Sequence, residues 1–296
     1  MKNGIWSGIR LYIFCYIMLI VAAVPMQVSA SEPAVDINIH NDVESPPPTD
    51  EKPPHLIQTV TEQDIYEGML KLGLLECKVL ETPDCDMAYE NVRDCVVSVN
   101  MGKAYGSGVI WEMTPTQIVI VTNKHVLEYW SEYESYIHFP QGYYIDAGIL
   151  GISEEHDVGF LTVDNTKFDY SELENLRYVR KDKDVYNAMK SGDEIFCLGT
   201  ETDSQSNNIT VSHTAEDASN YYKGSIGEME RYIDEFGEYM IYGLGYAKPG
   251  MSGGGTFDAS GNFIGMISGG TSNGETASIP LPVINEEYRK IRRNVR

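Results

Sequence analysis

The chain has 296 residues, 42% of them hydrophobic, enough to bury one large core or two modest ones. Its formal net charge is -22 at pH 7, a field that repels nucleic-acid phosphates and anionic lipid head groups and so argues against both as partners. The same field favours solubility and draws basic peptides inward, but it does not choose a fold.

Lys2 and Arg10 precede an apolar run from Leu11 to about Val24, and Val28-Ser29-Ala30 offers a small-x-small cleavage site. This pattern predicts an export leader over residues 1–30. The run is short against the roughly 20 residues of a bilayer span. A cleaved leader is therefore expected rather than a retained membrane anchor, with the product secreted or at the cell surface. Residues 31–60 combine acidic residues with Ser45-Pro46-Pro47-Pro48 and Lys52-Pro53-Pro54, a composition that buries too little apolar area to fold and reads as an extended linker.

Over 61–90 a helical extension is expected. Thr61-Glu62-Gln63-Asp64 resembles a capping box, and Ile65, Met69 and Leu72 follow at helical spacing, although Gly68 and Gly73 weaken the pattern. This helix is expected to pack on the outside of the body, with a pro-segment as the alternative role. With Cys15 in the leader, Cys77, Cys85, Cys95 and Cys197 remain, and export permits them to pair in three ways. Cys77 and Cys85 flank Thr82-Pro83-Asp84, so a local bridge is one reading. Cys95 and Cys197 border apolar runs and read equally as small core residues. Neither Cys-x-x-Cys nor His-Glu-x-x-His occurs, so no metal or other cofactor is expected.

From about residue 91 the chain reads as short β-branched and aromatic strands separated by turn residues: Cys95 to Val99, Gly106 to Trp111, Gln117 to Thr122, Tyr136 to Phe139, Tyr143 to Ile149 and Val158 to Val163. A polar interval from Asp164 to Asp184 precedes a second set: Glu194 to Gly199, Asn208 to Ser212, Glu238 to Tyr246, Gly255 to Phe257, Phe263 to Ser268 and Thr276 to Pro280. Such spacing predicts an all-β sandwich or barrel. Residues 213–237 read as an acidic surface insertion with a short helix near Ile226 to Phe236. Val283, Ile284, Tyr288, Ile291 and Val295 make an apolar stripe that predicts a closing helix over 283–296.

Lys248-Pro249-Gly250-Met251-Ser252-Gly253-Gly254-Gly255 surrounds one hydroxyl with residues that free the backbone, the setting an acyl-transfer nucleophile needs. A serine requires a base, and the base a third group to orient it. His125 ends the apolar run Ile118 to Val121 in Thr122-Asn123-Lys124-His125-Val126, and Asp157 opens another in Glu155-His156-Asp157-Val158. His156 is turned the other way by strand alternation, and His138 and His213 read as ordinary surface or strand residues.

These motifs, with Gly106-Ser107-Gly108-Val109-Ile110 before them, Gly192-Asp193-Glu194 between them and Ile264-Gly265-Met266-Ile267-Ser268-Gly269-Gly270 and Ala277-Ser278-Ile279-Pro280 after them, resemble the trypsin-like serine proteases from about Cys95 onward. The likeness is strongest to the bacterial branch with HtrA-like and glutamyl-endopeptidase-like enzymes. The resemblance implies a protease domain over 91–296, with two antiparallel six-stranded β-barrels at about 91–170 and 185–282 and a cleft between them. It implies Ser252 as nucleophile, His125 as general base and acid, Asp157 as the orienting carboxylate, and the amides of Gly250 and Ser252 as the oxyanion hole. Tyr246 falls at the position of the pocket floor, with Ser268, Gly269 and Gly270 along the wall; lacking an acid there, the pocket is expected to take small or medium apolar side chains of a protein or peptide substrate. Met251 replaces the acidic residue that digestive members carry, so local packing or substrate must order the oxyanion loop. The chain stops at Arg296, so no PDZ domain is expected.

The alternatives are a protease-like module that binds peptide without cutting it, and an α/β-hydrolase elbow at Gly250-Met251-Ser252-Gly253-Gly254. The elbow requires a histidine after the nucleophile, and none follows His213. Nothing in the sequence sets the oligomeric state.

Overall fold

The computed structural model describes residues 59–102, 104–200, 215, 216, 218 and 220–294. The leader at 1–30, nearly all of the linker at 31–60, His213 and the expected strand from Asn208 to Ser212 lie outside the described residues. Among the described residues, no helix is long and apolar enough to cross a membrane.

Helix α1 (Glu62–Lys71) starts at the expected capping box: the Thr61 hydroxyl accepts from the Asp64 amide at 3.1 Å, and the Asp64 carboxylate accepts from the Thr61 amide at 2.9 Å. Tyr66 is its fully buried anchor. The Tyr66 hydroxyl donates to the Thr114 carbonyl and accepts from Asn165 Nδ2, both at 3.1 Å. A second helix, α2 (Cys85–Val92), is N-capped by Asp84 and buries Cys85, Ala88, Tyr89 and Val92. This stripe keeps helical spacing, but small and polarisable residues make it weak in sequence. Cys77, Cys85, Cys95 and Cys197 are all free thiols in the core, so the local Cys77–Cys85 bridge is not formed.

The first half of the body is one antiparallel sheet of β1 (Val96–Asn100), β2 (Tyr105–Met113), β3 (Gln117–Thr122), β4 (Tyr136–His138), β5 (Tyr144–Ile145), β6 (Gly148–Ile152) and β7 (Gly159–Asp164), with the one-turn α3 (Lys124–Leu127) after β3. The order β5-β4-β1-β2-β3-β7-β6 gives seven strands where six were expected. The run Tyr143 to Ile149, read as one strand, divides between the two edges: Ile145 pairs with Ile137 of β4 and Gly148 with Thr162 of β7. Three residues span at most about 10 Å, so the two edges lie close together. The sheet is therefore curled almost into a barrel, with β5 and β6 together doing the work of one bent strand.

After α4 (Tyr170–Leu173) and α5 (Lys183–Ala188), strands β8 (Glu194–Leu198), β9 (Tyr221–Ile233), β10 (Glu238–Leu244), β11 (Gly255–Asp258), β12 (Phe263–Thr271) and β13 (Glu275–Pro280) close a six-stranded barrel in the order β10-β13-β12-β11-β8-β9. The insertion expected as loop and short helix is instead β9. It pairs with β8 through Tyr221 to Ser225 and with β10 as far as Ile233. Two irregularities in the register with β10 break the period-two alternation that would have marked it as a strand. Helix α6 (Leu281–Asn294) ends the described chain, starting two residues earlier than its apolar stripe suggests; Pro282 sits in the first turn, where its missing N–H costs nothing.

Alternation along β2 and β3 explains how the halves join. Ile110, Ile118 and Ile120 fill the interior of the first sheet with Val97, Val99 and Leu161. Val109, Trp111, Val119 and Val121 face the other way, into a core shared with Phe196, Phe257 and Phe263 of the second barrel. Both faces are buried, which is why Ile118 to Val121 is apolar without interruption. Trp111 takes edge contacts from Phe160, Phe263 and Tyr288 at 6.1, 5.9 and 6.0 Å, so strands of both halves and α6 meet on one ring.

Candidate active site

The apolar run of β3 ends at Thr122, and the next residues turn into α3, which projects His125 from a rigid strand end. Asp157 lies in the turn between β6 and β7, strands that pair with each other beside β3. Its carboxylate grips His125 twice: Oδ1 accepts the His125 backbone amide at 2.9 Å, and Oδ2 lies 2.7 Å from the ring Nδ1. An Nδ1–H donated to this carboxylate leaves Nε2 as the acceptor, the tautomer a general base requires. Asn123, fully buried, donates through Nδ2 to the Asp157 carbonyl at 3.2 Å and to Ser268 Oγ at 2.9 Å, tying the aspartate turn to β12 of the other barrel.

Ser252 sits in the connection from β10 to β11. Lys248 to Met251 form a tight turn closed by the Met251 amide on the Lys248 carbonyl at 3.1 Å, with Pro249 second and Gly250 third at φ 93°. That is the type II arrangement, in which the third position favours glycine. A Cβ on Gly250 would also stand 2.6 Å from the Tyr105 ring. Gly253, at φ 86°, is held more tightly still, since a Cβ there would meet the Ser107 carbonyl oxygen at 2.0 Å. The amides of Gly250 and Ser252 enter no intramolecular hydrogen bond among the described residues. Met251 is buried against Cys197 and Ile267, and its sulfur accepts the Lys248 amide at 3.2 Å. Local packing thus orders this loop, one of the two means the sequence left open.

His125 and Ser252 line one cleft of about 320 Å³, together with Tyr246, Ser268, Gly269 and Gly270. The structure therefore brings every residue expected at the site to the cleft or to a hydrogen bond with it. Tyr246, 53% exposed, and Ile267, 1% exposed, both line it. Tyr222, Ala247 and Lys248 also line the cleft, with the Lys248 amine 5.2 Å from the Tyr222 ring centre. Tyr222 was missed because it belongs to β9; its neighbour Tyr221, on the opposite face and buried, was the available sign of a strand.

The other two described histidines turn elsewhere. His156 Nδ1 lies 2.7 Å from Glu238 Oε2 of β10, away from Asp157. His138 is in β4, 3% exposed and stacked on Tyr144 at 4.0 Å. Glu155, His156 and Glu287 hold ligand atoms within 4.8 Å of one another, a grouping a cation could use. Lys290 already supplies positive charge there, 3.0 Å from Glu155 and 2.7 Å from Glu287.

The structure resembles the HtrA-type protease AlgW solved with a tripeptide, at 22% identity and TM-score 0.54, over 69% of this chain and 62% of that one. It also resembles AlgW solved with a decapeptide, at 19% identity and TM-score 0.53, over 69% and 66%. The chain thus spans less than two thirds of the length of these proteins, and at such identities the likeness is one of fold. No curated protein matches the sequence. The model of the trypsin-like peptidase domain matches residues 106–266, more than half of the chain, and the protein belongs to that family.

Proposed function

We propose that this protein is an exported serine endopeptidase that cuts peptide bonds through an acyl-enzyme. In this reading His125 Nε2 takes the proton of Ser252 as its Oγ attacks the scissile carbonyl carbon. The carbonyl oxygen becomes an anion held by the amides of Gly250 and Ser252, and Asp157 stabilises the imidazolium. As the carbon–nitrogen bond breaks, the leaving amine takes the proton from His125. Water, deprotonated by the same imidazole, then attacks the acyl carbon, and the imidazolium returns the proton to Ser252 Oγ as the acid leaves.

The observation that carries the reading is the twofold grip of Asp157 on His125, by the ring at 2.7 Å and by the backbone amide at 2.9 Å, beside a cleft that Ser252 also lines. A surface ion pair has no need of the second contact; a base that must keep one tautomer and one orientation does. Peptides bound to AlgW in the matching folds agree with a peptide substrate. Ile267 and Ala247 in the lining of the cleft favour small or medium apolar side chains before the cut. Export rests on the leader pattern at residues 1–30.

The test is labelling by a serine-directed fluorophosphonate together with hydrolysis of a peptide library. Ser252→Ala should abolish labelling and lower turnover by on the order of 10⁶. A parent chain that binds peptides but neither labels nor cuts would leave a binding module instead.

A further inference from the structure

Ser107 lies on β2, in the first barrel, yet it is fully buried against the nucleophile loop of the second. Its backbone amide donates to the Ser252 carbonyl at 2.7 Å. Its hydroxyl donates to the Gly250 carbonyl at 2.7 Å. The Thr200 amide donates into the same Oγ at 2.8 Å, and Thr200 Oγ1 lies 3.1 Å from it. A carbonyl only accepts, so the single hydroxyl proton goes to Gly250, which leaves Thr200 Oγ1, also 3.5 Å from the Gly106 carbonyl, to face Ser107 as donor. The Ser107 carbonyl, in turn, accepts from Thr122 Oγ1 at 2.7 Å, just before the segment that carries His125.

The bond to the Gly250 carbonyl matters because of which peptide it fixes. The Gly250–Met251 peptide lies between the two amides proposed for the oxyanion hole, that of Gly250 before it and that of Ser252 after it. Ser107 holds its oxygen, and the Lys248 carbonyl holds its N–H at 3.1 Å. With this plane anchored at both ends, rotation about Gly250, which glycine alone would leave free, is restrained. The two flanking N–H groups keep their relative direction.

We propose that the Ser107 hydroxyl is the positioning group of the oxyanion hole: held by Thr200, it locks the Gly250–Met251 peptide so that the Gly250 and Ser252 amides converge. This rests on the peptidase reading above. Ser107 does not touch the reacting atoms. It transmits the docking of the first barrel to the hole in the second, where Met251 offers no charge for an ion pair to do so.

The experiment compares the full chain with Ser107→Ala and Ser107→Cys, the latter keeping size and a weak donor. Four quantities are read: kcat and KM on one peptide substrate, inhibition by a peptide boronate whose tetrahedral adduct places an oxygen in the hole, and inhibition by the product peptide. Ser107→Ala should lower kcat by on the order of 10²-fold, since small displacements of a donor cost about that much. KM and product inhibition should stay within about threefold, and boronate affinity should fall in parallel with kcat/KM. Ser107→Cys should fall between the two, and it decides the matter should the alanine variant fail to fold. Folded variants with kcat within twofold of the parent overturn the proposal alone. So does an equal loss of kcat and product binding, which marks general distortion. A parent chain that neither cuts peptide nor takes fluorophosphonate overturns the peptidase reading and this proposal together.

Discussion

His138 shows how one buried side chain makes stability depend on pH. It is 3% exposed, its Nδ1 has no hydrogen-bond partner, and burial lowers its pKa below the ordinary 6.5. The unfolded chain then binds a proton that the folded chain refuses, so the contribution is intact above 6.5 and stability falls as pH drops below that value. Urea midpoints measured from neutral to mildly acid pH should decline, and His138→Phe, which keeps a ring against Tyr144, should flatten the decline. An unchanged slope in that variant would assign the acid sensitivity to other groups. The same low polarity governs the thiols: burial pushes Cys85 and Cys197 up to about 11, which keeps them protonated and poor nucleophiles.

Among the elements, helix α1 buries one residue completely, Tyr66. Ile65 is 44% exposed and Met69 and Leu70 are only partly buried, whereas Tyr66 is enclosed by the first barrel's core and hydrogen-bonded to Thr114 and Asn165. Tyr66→Ala should cost roughly 3–5 kcal/mol by loss of a buried aromatic ring. It should also raise amide hydrogen exchange over residues 62–71 ahead of the barrel strands; protection equal to the parent's would mean that other contacts hold the helix. Helix α6 makes a different kind of attachment. Burial works to raise the Glu287 carboxyl, but hydrogen bonds from Lys290 and Ser153 outweigh it and hold the group below its usual 4.5. This link between α6 and the turn bearing Asp157 is therefore present above that value and weakens as pH falls through the folded one.

For the whole molecule, the net charge of -22 is the dominant long-range property. Salt screens self-repulsion and substrate attraction alike. Raising ionic strength should increase thermal stability while lowering kcat/KM for peptides with basic flanking residues, with little effect on neutral ones; equal salt dependence for both peptides would exclude steering. The barrels were legible in the sequence because each strand carries its own signal: a β-branched run such as Ile118 to Val121 has to be buried wherever it lies. The candidate site was legible because His125 and Asp157 border such runs and Ser252 lies among turn glycines. Strand β9 was not, because bulges and acidic residues hide its period, and only pairing with β8 and β10 makes it a strand. Nor was Tyr143 to Ile149 legible as two edges, since nothing local marks where a curled sheet meets itself. The sequence by itself determined the residue types of the site and the elements that bear them, since both depend on neighbours along the chain. Tertiary packing alone brings Tyr222 and Ile267 to the cleft beside Tyr246, and Ser107 to Gly250. Those are contacts between segments far apart in sequence, set by how two barrels pack.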